Sequence, residues 1–347
     1  MGIASVTSLQ ICLTRIRKEM DMLLYKISVL DELFNTECDA QRSNEKYLRI
    51  QIILLIIIVF IAYTSDFFAF NTGFAAWILC ITTYICNFIN IVTIIQFVNL
   101  VFLLKQKFLI LNKFLASAEK PNEHETNGNL WELLLQTSVF RNVINFEYDP
   151  LRTDAFYQAI TRRCYNDIQN HTNNSSQNYC LHKGTLRFRA LRVIHDVLCD
   201  ISTSVNSMYG LQIFLCMLSA FIETATNISY TATASNIDNL TREQFISTVA
   251  CPMLWALVQF LPLFWITGSC NAASSEADRS GIILQKLLLL PELHPATVTE
   301  IQLFLQQVTN RKLRFTAWDL FTINYSILGS TVGAVTTLLV ILVQLQN

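Results

Sequence analysis

Long hydrophobic stretches without a single charged residue organise this chain. Three are long and two are shorter: 67–104, 244–275 and 320–347, then 50–65 and 201–222. A helix needs roughly 20 apolar residues to cross a bilayer. The pattern therefore predicts an all-α integral membrane protein with about five transmembrane helices, at roughly 48–70, 74–104, 194–228, 246–270 and 318–345.

Amphipathic segments with a helical period lie outside these stretches. Near the N-terminus, apolar residues recur every three or four positions and mark one seam of a long helix: Leu13, Ile16, Met20, Leu23, Ile27, Leu30 and Phe34. A second segment begins with Thr297 to Glu300, the pattern of a capping box. Its apolar face would consist of Val298, Ile301, Leu305 and Val308. We expect both segments to be cytoplasmic helices.

The positive charges predict which side of the membrane each connecting segment occupies. Only 15% of the 347 residues are charged, against about 25% in soluble domains. Of the 25 lysines and arginines, 24 lie in 1–49, 105–193 and 271–317, and only Arg242 lies on the other face. Because basic loops stay in the cytoplasm, we expect a cytoplasmic N-terminus and, after an odd number of spans, an extracellular C-terminus.

These assignments divide the chain into six segments of a multi-pass cell-membrane protein in contact with lipid. They are a cytoplasmic helical segment 1–47, two transmembrane helices in 48–118 with the second extending into the cytoplasm, a cytoplasmic loop 119–190, two transmembrane helices in 191–270 with an outer loop 229–243, cytoplasmic anchor helices 271–317, and a last helix 318–347. Glycosylation sequons at Asn227 and Asn239 fit the outer side of this arrangement.

The last helix carries a polar stripe. Ser330, Thr337 and Gln344 recur every seven residues and therefore share one helical face. Polar groups in lipid are costly unless they face protein or water, so the stripe should point inward. Two interpretations remain open: close helix packing, which the spacing of Gly329 and Gly333 favours, or the wall of a water-filled path.

Composition excludes several other classes of function. The five histidines are far apart, and none of the ten cysteines forms a C-x-x-C pair. We therefore predict no catalytic residue, no metal site and no cofactor. No Lys/Arg stripe with interleaved aromatic residues is present, so nucleic acid is not an expected partner.

Several short motifs follow one another in a characteristic order. They are Gln96-Phe97 with Phe108, Leu111-Asn112 and Leu115, then Leu191 to His195 with Leu198 and Tyr209-Gly210, then Cys270 with Glu276-Ala277, then Phe315-Thr-Ala-Trp-Asp-Leu-Phe321, and finally Thr337 with Gln344-Leu345. In this order they resemble the insect gustatory receptors, from about residue 47 to the C-terminus. The sequence departs from the family pattern at Leu338 and Leu345, where the family has Tyr and Phe, and at Asp319, where it has Gly.

The resemblance implies the insect chemoreceptor channel fold and a taste function. Such receptors have seven spans, so this chain is expected to lack the first two transmembrane helices. They resemble odorant receptors that form tetrameric cation channels, each subunit contributing its last helix to one pore. Carried over to this sequence, the pore and gate residues would be Ser330, Thr337, Ile341, Gln344 and Leu345.

The resemblance also implies a small-molecule tastant bound in the outer half of the helix bundle. Aromatic side chains with a few polar groups suit small organic ligands. The residues that fit this description are Tyr63, Asp66, Trp77, Tyr84, Phe221, Glu223, Trp255 and Gln259. The partners implied are further gustatory receptor subunits, in a homo- or hetero-tetramer.

Two alternatives remain. The expected lack of two spans makes a truncated or accessory, non-conducting subunit credible. A membrane solute transporter is the other alternative, although transporters usually show internal repeats and broken helices near the midplane, and no such repeat is found in this sequence.

Overall fold

The computed structural model describes residues 17–34, 74–117, 176–234, 249–291 and 293–346, and the isolated positions 52, 53, 56, 57, 60 and 64. Its elements in chain order are α1 Arg17–Phe34, α2 Phe74–Ser117, α3 Ser176–Ala234, α4 Cys251–Leu287, α5 Pro295–Asn310, β1 Thr316–Ala317, β2 Phe321–Thr322 and α6 Tyr325–Gln346. The predicted first crossing, 48–70, lies outside the described residues except at those isolated positions.

Three helices form the central bundle, and each packs against the other two: α2, α3 and α4. All three are long and apolar enough to cross a membrane, over Tyr84–Ser117, Arg187–Thr231 and Cys251–Leu287. At 1.5 Å per residue, the 59 residues of α3 extend about 90 Å, so this helix projects well beyond a bilayer. In α6 the apolar stretch Tyr325–Ile341 is shorter.

One end of the bundle, which we call the base, holds the dense core. Here α5 packs on α3 and α4, and α1 packs on α3. Of the predicted seam of α1, Leu23, Ile27 and Leu30 are buried and Met20 is half-buried, whereas Leu13, Ile16 and the side chain of Phe34 lie outside the described part. The largest fully buried side chains all belong to this end: Leu30, Phe97, Leu104, Phe108, Leu111, Leu115, Leu191, Ile194, Leu198, Tyr209, Phe304 and Phe315.

Helix α3 is longer than the charge pattern indicates. It begins at Ser176, inside the segment expected to be a cytoplasmic loop, and ends at Ala234, inside the expected outer loop. The sequon residue Asn227 therefore lies within a helix, where its backbone carbonyl accepts a hydrogen bond from Thr231. The physical reason is that charge reports where a segment leaves the membrane, whereas a helix can continue into water.

Helix α5 begins earlier than the capping-box pattern predicts. Its N-cap is His294, whose ring nitrogen accepts a hydrogen bond from the backbone N–H of Ala296 at 3.2 Å. Pro295 occupies the first turn, where its missing N–H costs nothing. Thr297 and Glu300 consequently lie inside the helix and are both buried. On the predicted apolar face, Ile301 and Val308 are buried, as is Phe304.

A short turn, which we call the elbow, occupies residues 315–324 and joins α5 to α6. Its strands β1 and β2 pair antiparallel, with Thr316 opposite Thr322. Trp318 and Asp319 have positive φ angles of 51° and 56°. The last helix thus begins at Tyr325 rather than at 318, because the left-handed residues break the helical path. Asp319 replaces the glycine of the family pattern, and this left-handed conformation is the one that glycine adopts most easily.

Candidate functional site

A cluster of polar side chains crosses the bundle at the end opposite the base, which we call the distal end. It consists of Asn87 on α2, Glu223 on α3 and Gln259 on α4, and we call it the polar layer. The Gln259 side-chain Nε2 donates to Asn87 Oδ1 at 3.1 Å and also to Glu223 Oε2. One amide therefore joins all three central helices.

An aromatic pair lies one helical turn farther from the base. Tyr84 precedes Asn87 by three residues on α2, and Trp255 precedes Gln259 by four on α4. Their rings are nearly parallel, with an angle of 6° between planes and 6.1 Å between centroids. Since residues three or four apart share a helix face, the aromatic pair and the polar layer form adjacent levels of one site.

Placing the polar layer among apolar side chains has a high free-energy cost. Asn87 is only 4% exposed, and Glu223 and Gln259 are half-buried. Neighbouring positions expose large apolar side chains, as expected of a lipid-facing surface: Ile85, Phe88, Ile222 and Leu257. A carboxylate among such residues is disfavoured unless it is paired or hydrogen-bonded, so groups of this kind commonly mark functional sites.

The structure brings together four of the eight residues predicted to bind a ligand: Tyr84, Glu223, Trp255 and Gln259. Phe221 is half-buried but lies two residues from Glu223, which places it about 200° around α3. Trp77 belongs to α2, but its side chain is outside the described part. Tyr63 and Asp66 also lie outside the described residues.

Asn87 is the member of the site that the sequence analysis missed. An amide inside an apolar, uncharged helix is itself a signal of function or of a buried hydrogen bond. That signal is present in the sequence, since Asn87 stands in the middle of the uncharged stretch 67–104. It does not say which of the amides in that stretch faces the other helices.

Among the residues that the structure describes, most of the surface of the last helix is exposed. Beyond Leu328, every described side chain of α6 is exposed or half-buried. The half-buried positions are spaced by four residues and form one seam: Ile327, Thr331, Val335 and Leu339. Tyr325 anchors the start of the helix, with its hydroxyl 3.6 Å from the position a Cβ would occupy on Gly268 of α4.

The residues predicted to line a pore belong to this uncovered surface. Ser330, Thr337, Ile341 and Gln344 are exposed, whereas the side chain of Leu345 is outside the described part. The Ser330 hydroxyl donates to the carbonyl of Ser326 at 3.1 Å, and the Thr337 hydroxyl donates to that of Gly333 at 2.8 Å. These two hydroxyls are satisfied within their own helix, so they tolerate either lipid or a water-filled space.

The elbow is fastened to the middle of α3. The Asn206 Oδ1 accepts from the Thr316 backbone N–H at 2.7 Å, and the Asn206 Nδ2 donates to the Thr316 hydroxyl at 2.8 Å. One turn farther, Gly210 lets the elbow approach closely, because an added Cβ would lie 3.3 Å from the backbone nitrogen of Trp318. Phe214 continues this contact, with its ring 5.9 Å from that of Trp318. The start of α6 is therefore held by α3.

Ion pairs surround the base. Arg311, just after α5, pairs with both Asp196 and Asp200 of α3. Burial alone would lower the pKa of Arg311, but the hydrogen bonds and charges of the two aspartates outweigh burial and raise the pKa above its usual value. The guanidinium consequently stays charged. Glu300 of α5 makes a further pair, at 2.8 Å from Arg189.

Most of the motifs that carry the family resemblance meet one another in this base, whereas the last, Thr337 with Gln344-Leu345, belongs to α6. Asn112 Nδ2 donates to the carbonyl of Glu276 at 2.8 Å, and the Ser280 hydroxyl donates to Asn112 Oδ1 at 2.6 Å. Other motif residues form aromatic contacts: Phe97 with Tyr209 and Phe315, and His195 with Phe108 and Phe304. The motifs therefore mark helix-to-helix contacts of the base rather than the distal site.

Comparison with known proteins gives a consistent result. A family model described as 7tm Chemosensory receptor matches residues 1–346. The chain is 28% identical over 167 residues to Gustatory receptor 68a of Drosophila melanogaster, covering 46% of this chain and 41% of that protein. It is 27% identical over 161 residues to Putative gustatory receptor 28b of the same organism, covering 44% of this chain and 33% of that protein. The matched part is thus less than half of either relative.

The long apolar helices define a multi-pass membrane protein, and the polar layer lies between three of them. With the family model matched over nearly the whole chain, the protein belongs to the 7tm chemosensory receptor family. The expected resemblance to gustatory receptors is confirmed by both relatives.

Proposed function

We propose that this chain is a gustatory receptor subunit that acts as a ligand-gated, non-selective cation channel. In this proposal a small organic tastant binds at the polar layer and the aromatic pair. The last helix of each subunit, α6, then lines a pore shared by four subunits. The observation that supports the proposal is the exposed surface of α6, where the half-buried positions among the described residues form a single seam.

The uncovered surface is best explained by a partner on one side and water on the other. A helix that packs only on its own bundle would show a wide buried face, whereas the described side chains of α6 beyond Leu328 are covered only along the seam of Thr331, Val335 and Leu339, and there only in part. The polar stripe of Ser330, Thr337 and Gln344 lies on exposed positions instead. The hydroxyls of Ser330 and Thr337 are satisfied within α6, but an amide such as that of Gln344 favours a protein interface or an aqueous path over lipid. If the α6 helices of several subunits surrounded a common axis, each would have a protein neighbour on one side and a water-filled path on the other.

Coupling between the site and the pore would run through α3. Glu223 belongs to the polar layer, and Gly210 on the same helix holds the elbow, about 20 Å away along the axis at 1.5 Å per residue. A ligand that favours one arrangement of the polar layer would shift α3, and α3 holds the beginning of α6. Ligand binding can open a channel only if the open arrangement binds the ligand better.

The pore assignment is tested at Gln344. In voltage-clamped cells expressing the chain, Gln344→Ala should change the permeability ratio of Na⁺ to K⁺ or the basal current at least about twofold, because the exposed amide would face the permeating ions. Thr336→Val is the matched control, since this exposed neighbour lies about 100° around the helix from Thr337.

The test also separates the alternatives. An unchanged permeability ratio and basal current in Gln344→Ala would contradict the assignment of this stripe to the pore. Surface-expressed protein that yields no current, alone or with a second receptor of the family, would instead favour an accessory, non-conducting subunit. Saturable solute uptake without single-channel events would favour a transporter.

A further inference from the structure

The distal end carries a charge that the central helices do not balance. Between them, the three segments 74–104, 201–234 and 251–275 contain one charged residue, Glu223, and no lysine, arginine or histidine. Within the described part of the chain, the ion pairs of the base involve other carboxylates, and Glu223 meets the amide of Gln259 instead. Within the described segments of the three central helices, Glu223 therefore has no cationic side chain as a partner, and a cationic ligand would supply one.

An amide can hydrogen-bond a carboxylate but cannot neutralise it. In the interior of a bundle the effective dielectric constant is far below that of water, so an unneutralised carboxylate interacts strongly with any nearby cation. Gln259 is also shared, because it donates to Asn87 as well as to Glu223. The strongest complement available to the polar layer is thus a positive charge.

The aromatic pair favours the same kind of ligand. Tyr84 and Trp255 are half-buried and lie one turn from Asn87 and Gln259 on the same two helices. Trp and Tyr rings attract cations over their faces, and aromatic groups beside a carboxylate are a recurring means of binding alkylated ammonium groups. A neutral polyhydroxylated ligand would use the two amides but would gain little from Glu223 as a charge.

We infer that the distal site selects organic cations, meaning amines or quaternary ammonium compounds, with the positive nitrogen between Glu223 and the Tyr84–Trp255 pair. The inference rests on the proposed function in one respect: it assumes that this site is the one that takes a ligand. It adds the chemical class of that ligand, for which the carboxylate supplies the charge and the rings supply the apolar faces.

Binding to the purified full-length chain in lipid nanodiscs tests the inference without any current. The probe is benzyltrimethylammonium, and benzyl alcohol is the matched neutral probe. The cation should bind and raise the melting temperature, whereas the alcohol should bind at least about tenfold more weakly. In Glu223→Gln, which keeps the shape and the hydrogen-bonding capacity but removes the charge, affinity for the cation should fall about 10- to 100-fold.

Two further variants keep the result interpretable. Glu223→Asp retains the charge on a shorter side chain and should bind the cation with intermediate affinity, even if Glu223→Gln fails to fold. Asp278→Asn removes a carboxylate at the base that pairs with Arg314, and it should leave cation binding unchanged.

The inference is overturned if folded Glu223→Gln binds the cation as the native chain does, if the native chain binds both probes equally, or if it binds neither. The channel proposal fails in a different way. Charge-dependent binding without any current would remove the channel and keep the ligand class. Currents that neutral compounds open and that Glu223→Gln leaves unchanged would support the channel and contradict the cationic ligand class.

Discussion

The base and the distal end of the same three helices are built on opposite principles. At the base, aromatic and aliphatic side chains such as Phe108 and Leu198 are completely buried, and the Asp196 carboxylate has a cationic partner. At the distal end, large apolar side chains such as Phe88 and Ile222 are exposed, and the contact between helices is made by amides and a carboxylate.

This difference indicates which end of the bundle is expected to resist displacement and which is expected to rearrange when a ligand binds. Close-packed interiors resist displacement, because every small shift loses contacts. A few hydrogen bonds between helices are worth much less and can be exchanged for bonds to a ligand. We therefore expect the base to hold the subunit together and the distal end to change on binding, with the elbow passing the change to α6.

Of the variants considered, removing a large side chain from the base should destabilise the protein most. Phe304 of α5 is fully buried, with its ring 5.5 Å from that of His195. Phe304→Ala should cost about 3–5 kcal/mol, since it removes buried surface and leaves a cavity. Thermal or chemical unfolding of the purified protein measures this. Leu303→Ala, at the exposed neighbouring position, should cost far less, and equal losses would argue against a dense base.

Breaking the ion pair should have a smaller effect. Arg311→Met leaves Asp196, whose side chain is 6% exposed, without its cationic partner. Because Arg311 itself is 38% exposed, water would compensate in part, and we expect a loss of about 1–3 kcal/mol. The melting temperature should fall while cation binding at the distal site stays unchanged. Lys312→Met removes the adjacent exposed charge and serves as the control.

A variant at the elbow should have the smallest effect on stability but a clear effect on the proposed coupling between ligand binding and α6. Asn206→Leu removes both hydrogen bonds to Thr316, at a cost of about 1–2 kcal/mol. Ligand affinity in the binding assay should remain native, whereas the ligand concentration that half-opens the channel should shift severalfold. Ser204→Ala changes an exposed hydroxyl bonded to its own helix and should do neither. An unchanged gating curve in Asn206→Leu would exclude the elbow from the coupling path.

Sequence reasoning found the helices and four of the five residues of the candidate site, for different physical reasons. Charge-free stretches are strong signals in a membrane protein, so α2, α3, α4 and α6 all fall within or around predicted crossings. Glu223 was identifiable because a lone carboxylate in an apolar stretch is unusual. Asn87, which accepts a hydrogen bond from Gln259, was not singled out, since the choice among the amides of α2 depends on how that helix is rotated against its neighbours.

The boundaries outside the membrane were less predictable. The capping-box pattern, with Thr297 as the N-cap, competed with His294 and Pro295, which start α5 three residues earlier. The extension of α3 back to Ser176 depends on contacts as well as on local sequence, since Thr185 meets Thr297 and Arg189 meets Glu300. Contacts between residues so far apart in the chain do not produce a periodic pattern in the sequence.

By itself, the sequence determined that this is a multi-pass helical protein of the chemosensory receptor class, because lipid demands long apolar helices and the motifs occur in a fixed order. Only the tertiary structure decided that the motifs before α6 meet in the base, that Asn87, Glu223 and Gln259 form one layer, and that the described side chains of α6 beyond Leu328 are left largely exposed. The reason is that burial in lipid constrains each helix separately, whereas the rotation and register between helices are set by contacts between residues far apart in the chain.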